Sequence, residues 1–138
     1  MPAKDQFHEA VKNALVKEGW TITDDPLFLK FGEVDMYVGL GAEKVISAWK
    51  DGQKIAVEVK SFIQPSLISE FHTAVGQFIN YRVSLEETEP ERILYLAVTE
   101  DAYKTFFTLL FTRTVVEKNQ LKIIIYNPNE EVIVEWKN

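Results

Sequence analysis

The chain has 138 residues, 46% of them hydrophobic and 12% aromatic, with a formal net charge of -6. That is the length of one domain with enough apolar mass for a core, and its acidic balance argues against a protein that coats duplex nucleic acid through a basic stripe. With no cysteine and only two histidines, a disulfide framework, a thiolate zinc site and a histidine-rich metal site are excluded; a metal would be held by oxygen, which favours Mg2+ or Mn2+.

The opening segment Met1-Pro2-Ala3-Lys4-Asp5 lacks the apolar stretch of a signal peptide, and no later run is long enough to span a membrane. A soluble cytoplasmic protein is the expectation. Residues 5–18 read as a first helix, with Phe7, Ala10, Val11, Ala14 and Leu15 on one arc and Gly19 as its C-terminal cap. Trp20 to Thr23 is a short strand, Asp24-Asp25-Pro26 a turn, and Leu27 to Phe31 an extension of the sheet. Asp35 to Trp49 reads as one long bent strand interrupted at Gly39 and Gly41. Lys50-Asp51-Gly52-Gln53 signals a hairpin turn.

A β-branched strand follows, Lys54-Ile55-Ala56-Val57-Glu58-Val59-Lys60. Side chains alternate along a strand, so Glu58 and Lys60 share a face with Ala56, opposite Ile55, Val57 and Val59. A carboxylate and an ammonium on a central strand are costly to bury. A metal-dependent phosphodiesterase needs both, one to hold Mg2+ and one to steady the attacking water or the phosphate. The plainer alternative is a cross-face ion pair at a sheet edge.

Pro65-Ser66 opens a long helix to about Glu87, with Ser66 as N-cap and Ile68, Phe71, Val75, Phe78, Ile79 and Arg82 as its stripe. The acidic run from Glu86 to Glu91 reads as a solvated loop, or as a dock for a basic partner. Ile93 to Val98 is nearly all apolar, as in a strand covered on both faces. Asp101 to about Lys118 is a helix with Phe106, Phe107, Leu110 and Phe111 inward. Leu121 to Tyr126 and Val132 to Trp136 are strands around an Asn127-Pro128-Asn129 turn. The order gives a single-domain α/β fold, a mixed central sheet flanked by helices. Lys12, Lys17, Lys60 and Arg82 could form a basic rim. His8 and His72 border apolar arcs, where a hydrogen-bonded residue at the core edge is expected more often than a catalytic base.

A helix, a hairpin ending in Glu-x-Lys, then a helix and a buried strand resembles the PD-(D/E)XK, or restriction-endonuclease-like, core. That resemblance implies Mg2+ held by Glu58 and by an acid preceding the hairpin, with Lys60 catalytic. It also implies roles for Gln77 and Tyr81 on the following helix, four residues apart and so on one face. Glu9 occupies the place of a first-helix Glu, although the helical wheel turns it toward solvent. More closely, the chain is similar to the XisH family, the fdxN-element excision controlling factors of cyanobacteria. The similarity runs through Gly19-Trp20-Thr21-Ile22-Thr23, Leu40-Gly41-Ala42-Glu43-Lys44, Ile55 to Phe62, Gly76 to Arg82 and Leu94 to Val98. It implies a role in excising a DNA element by site-specific recombination during heterocyst differentiation. It further implies an XisI-like companion and a separate recombinase, and cutting both strands would call for a homo-oligomer. In the family an Asp precedes the Leu-Gly-Ala-Glu segment; here that position is Gly39. The second carboxylate then falls to Glu43, which a tight hairpin would set across from Lys60, or to Asp35, four residues before Gly39.

Overall fold

The structure is a computed structural model that describes residues 5–44 and 52–138. Its centre is a six-stranded sheet in the order β1 (Thr21–Asp24), β4 (Leu40–Lys44), β5 (Gln53–Val59), β6 (Arg92–Thr99), β7 (Ile123–Asn127), β8 (Val132–Lys137). β5, β6 and β7 run parallel, and the outer pairings are antiparallel. The β-branched composition of β5 to β7 suits this position, because parallel strands are covered on both faces. The remaining strands, β2 (Leu27–Phe31) and β3 (Val34–Val38), form a separate two-stranded ribbon. Leu27 to Phe31 is thus a strand, as expected, but does not extend the main sheet. Its Leu27 and Leu29 turn inward onto the α2 side of the core, while Phe28 and Phe31 stay exposed.

The connections between parallel strands put helices on one face. α2 (Leu67–Thr88) leads from β5 to β6. Its first turn is capped by Ser66, whose hydroxyl accepts from Ser69 N–H at 3.3 Å. The buried residues of α2 are Phe71, Ala74, Phe78, Tyr81, Ser84 and Leu85. The stripe is therefore rotated from the expected one, and Ile68 is 40% exposed. The segment from β6 to β7 is broken. A short helix α3 (Glu100–Ala102) runs into a π-helical turn (Tyr103–Phe107), and α4 (Leu110–Lys118) starts afresh after Leu109 takes an extended conformation. Phe106 and Phe107 lie inward against Phe71, with ring centroids at 5.4 and 5.7 Å. The break turns the next residues away, so Leu110 and Phe111 are 74% and 55% exposed, contrary to a single continuous helix.

α1 (His8–Lys17) covers the opposite face, packing Val11 and Leu15 on Val57, Val59, Tyr95, Ala97 and Ile124. Gly19 ends it with φ +92°, a conformation favourable only without a Cβ. Among the described residues no helix is long and apolar enough to cross a membrane.

Candidate functional site

Glu58 lies near the carboxyl end of β5, flanked by β4 and β6, with Leu96 as its parallel neighbour. Val57 and Val59 pack on the α1 side, and Ala56 joins the α2 side. Strand alternation thus turns Glu58 toward α2, as the sequence pattern requires. Its side chain is only 12% exposed, and that of Lys60 19%; the ammonium lies 3.7 Å from Oε2. The Gly39 N–H donates to Oε1 at 3.0 Å. Burial is the strongest influence on this carboxyl and lifts its pKa. Lys60 and the Gly39 amide pull it down, nearby Asp5 pushes it up, and the net shift is upward.

The register explains why Gly39 meets Glu58. β4 pairs with β5 as Leu40↔Val57, Gly41↔Ala56, Ala42↔Ile55, Glu43↔Lys54 and Lys44↔Gln53. One more step brings Gly39 level with Glu58. The expected two-residue turn would have set position 43 across from Lys60; the pairing sets it across from Lys54 instead. Its backbone is four residues from Gly39, about 13 Å along the strand. The connection from 45 to 52 is longer than an Asp-Gly turn, and its residues 45–51, including Trp49 and Asp51, lie outside the described ones. Asp35 sits in the β2–β3 ribbon across from Lys30 and is exposed. The expected bent strand is two strands in different sheets, with Gly39 at the corner between them.

Close approach penalises any side chain at that corner. A Cβ on residue 39 would stand 2.9 Å from the Val57 carbonyl oxygen and 3.5 Å from Glu58 Oε1.

The acid whose charge reaches Glu58 is Asp5, which the sequence reading did not single out. Its Oδ1 accepts from Phe7 N–H at 2.9 Å, just ahead of α1, and its Oδ2 accepts from Ser61 N–H at 2.9 Å. An acid just before a helix was legible as a local capping signal. Its second contact, to a residue 56 positions away, was not. Asp5 also stands close enough to Tyr126 to oppose its ionisation, although burial is the main reason that phenol is held far above its usual range. The buried Tyr126 hydroxyl has no hydrogen-bond partner.

Tyr81 reaches the same neighbourhood from α2. It is 7% exposed, more deeply buried than its place off the expected arc implied. Burial first, and then the charge of Glu58, push its pKa up to about 12. Gln77, one turn earlier, keeps a buried Oε1 with no partner. The fold therefore gathers Glu58, Lys60, Tyr81 and Asp5, with Gln77 one turn from Tyr81.

Glu9 belongs to a different cluster. It is exposed, as its helical position requires, and its carboxylate lies with His8 and Asp25 in a group whose ligand-type atoms all fall within 4.8 Å of one another. Within that group Asp25 is already engaged by His8 and by Lys12. His8 Nε2 is 2.6 Å from Asp25 Oδ1, and Lys12 Nζ donates to Oδ2 at 2.9 Å. Burial alone would raise the Asp25 pKa, but those hydrogen bonds and charges hold it below the usual value. His8 is a hydrogen-bonded residue at the core edge, as expected; His72 is exposed.

Whether the Glu58 cluster can hold a divalent cation depends on its donor set. Mg2+ demands near-octahedral oxygen geometry, commonly with one or two carboxylates. Glu58 offers one carboxylate, with an amide on one oxygen and an ammonium beside the other. Both Asp5 oxygens accept backbone amides. In this arrangement the donors do not fit a metal cage. They do fit a buried polar cluster that ties the β3–β4 corner, the end of β5 and the approach to α1 together.

A search of curated proteins found no match. Among solved structures, the chain is similar to an XisH family protein from Nostoc punctiforme PCC 73102, with 52% identity and a TM-score of 0.89, covering 97% of this chain and 100% of that one. It is similar also to a fdxN element excision controlling factor protein from Anabaena variabilis, with 53% identity and a TM-score of 0.87, covering 96% of this chain and 98% of that one. The family model described as XisH protein matches residues 1–134, and the chain belongs to the XisH family.

Proposed function

We propose that this chain controls the excision of a DNA element, the role named for its Anabaena variabilis relative, by binding partners rather than by cutting DNA itself. On this reading it is a degenerate protein of PD-(D/E)XK type, acting in the cytoplasm with an XisI-like companion and a site-specific recombinase during heterocyst differentiation. The observation that carries the reading is the Gly39 N–H on Glu58 Oε1 at 3.0 Å. Position 39 offers Glu58 only this main-chain donor and, as glycine, no second carboxylate. That donor stabilises a lone buried carboxylate without a cation, and Lys60 supplies the charge complement. The test is incubation of plasmid and oligonucleotide DNA with the protein and millimolar Mg2+ or Mn2+. No cleavage above that of a Lys60→Ala variant is expected; metal-dependent cleavage lost in that variant would overturn the reading.

A second reading, Mg2+-dependent phosphodiester cleavage with Lys60 as the catalytic cation, is favoured by a different observation. The charge of Asp5 helps to raise the Glu58 pKa, and Gln77, one turn from Tyr81, keeps a buried Oε1 without a partner. Release of the Asp5 oxygens from Phe7 and Ser61 would be needed to assemble that site. An Asp5→Asn variant separates the readings, since it should remove any cleavage under the second and change none under the first.

A further inference from the structure

At the other end of the parallel strands, beside the starts of β6 and β7, a cleft of about 780 Å³ opens between α2 and α4. Ile93, at its edge, is three residues before Leu96, the neighbour of Glu58, or about 10 Å along the strand. The cleft is within the size range of small-molecule sites, about 300–1,000 Å³. Its apolar lining includes Tyr103, Phe107, Val116 and Leu121.

Its charge runs against that of the chain. In a protein of net charge -6, five cations line this cleft, Arg82, Arg92, Arg113, Lys122 and Lys137, against the acids Glu86 and Glu117. Two of the cations are satisfied by carboxylates outside it. Arg92 bonds Glu89 at 3.1 Å and Lys137 pairs with Glu135 at 3.1 Å. Among the described residues Arg82, Arg113 and Lys122 have no carboxylate partner. Each arginine is followed one helical turn later by an acid, Glu86 or Glu117, yet forms no ion pair with it. Arg82 instead donates to the carbonyls of Asn119 and Gln120 at 2.7 and 3.3 Å, and its guanidinium lies 5.4 Å from the Phe78 ring. That fixes a guanidinium in place with its charge unpaired. Planar guanidinium groups suit bidentate oxyanions, and three unpaired cations match a phosphate of about -2 better than a carboxylate of -1.

We propose that this cleft binds a small phosphate monoester whose apolar or aromatic body lies against Val116, Leu121 and Tyr103 while its phosphate meets Arg82, Arg113 and Lys122. The site stands independently of the role assigned to Glu58. The test is calorimetric titration of the intact chain with phenyl phosphate and adenosine monophosphate, with inorganic phosphate and a short DNA duplex as further probes. Saturable binding of at least one monoester is expected, weakened about ten- to a hundredfold by Arg113→Ala and by Lys122→Ala, the span of one charged hydrogen bond, and unchanged by Lys30→Ala on the β2–β3 ribbon. Arg113 is exposed and Lys122 half-buried, and unfolding curves on each variant verify that the fold is kept. No binding of either monoester at millimolar concentration, or binding indifferent to both variants, overturns the proposal. Equal affinity for inorganic phosphate overturns the role given to the apolar wall. Variant-sensitive binding of the duplex alone reassigns the cleft to nucleic acid and overturns the small-ligand assignment.

Discussion

Gly39→Asp perturbs the Glu58 cluster at its tightest point. The new Cβ would sit 2.9 Å from the Val57 carbonyl oxygen, a backbone atom held between β4 and β6, and 3.5 Å from Glu58 Oε1. Overpacking of this kind costs about 1–3 kcal/mol. The added carboxylate also faces Glu58. Two full charges about 4 Å apart would repel by about 4 kcal/mol at an effective dielectric constant near 20, an upper bound because Glu58 can take a proton instead. Together the variant should lose about 2–4 kcal/mol in EDTA, a fall in Tm of roughly 10 °C for a chain of this length. Gly39→Ala carries the steric part alone and should fall by less. The two-carboxylate variant should then regain stability with Mn2+ or Mg2+, by about 2.7 kcal/mol when metal reaches a hundredfold over its Kd, whereas the natural chain should not respond. Urea unfolding of the three proteins, with and without metal, reads these differences. A Gly39→Asp protein as stable as the natural one in EDTA would refute the close packing. One that loses stability but gains nothing from metal would refute position 39 as the missing ligand position.

Glu58→Gln tests the raised carboxyl pKa. A folded-state pKa above the unfolded value means that the native state binds more protons, so stability falls as pH rises from about the ordinary value of 4.5 through the raised one. The Gln variant should lack that decline, and parallel pH profiles for the two proteins would contradict the assignment. Asp25 carries the opposite sign. Its lowered pKa gives stability that is present above the ordinary 3.8 and lost as pH falls through the folded value. The difference between the natural chain and Asp25→Asn should therefore be largest near neutrality and vanish in acid; a difference that grew in acid would count against it. Phe71→Ala removes the ring against Phe106 and Phe107 and should cost about 3–5 kcal/mol, whereas Leu110→Ser, at a residue 74% exposed, should change stability little. Comparable losses from both would restore a single inward-facing helix.

The elements with strong local signals were legible in the sequence. Ser66 followed by an amphipathic run marked the start of α2, and the unbroken apolar stretch from Ile93 to Val98 marked a strand covered on both faces. Glu58 and Lys60 were placed correctly because strand alternation is a local rule. Register was not local. It depends on the length of the 45–52 connection, and an Asp-Gly pair suggested a turn shorter than the one that sets Lys44 across from Gln53. That error set Glu43 across from Lys60, whereas the pairing sets it across from Lys54 and brings Gly39 level with Glu58. The break at Thr108 and Leu109 was hidden for a related reason. Phe106, Phe107, Leu110 and Phe111 fit one helical arc, and only the π-helical turn rotates the last two outward. Asp5 was missed because its contact with Ser61 depends on tertiary packing, which no spacing in the sequence encodes.

The most direct test of a structural, metal-free role for Glu58 is anomalous diffraction from crystals of the natural chain soaked in millimolar Mn2+. No manganese peak is expected beside Glu58 in that chain, and a peak is expected there in Gly39→Asp. A peak bridging Glu58 and Asp5 in the natural chain would contradict that role and establish the Mg2+-dependent reading in its place.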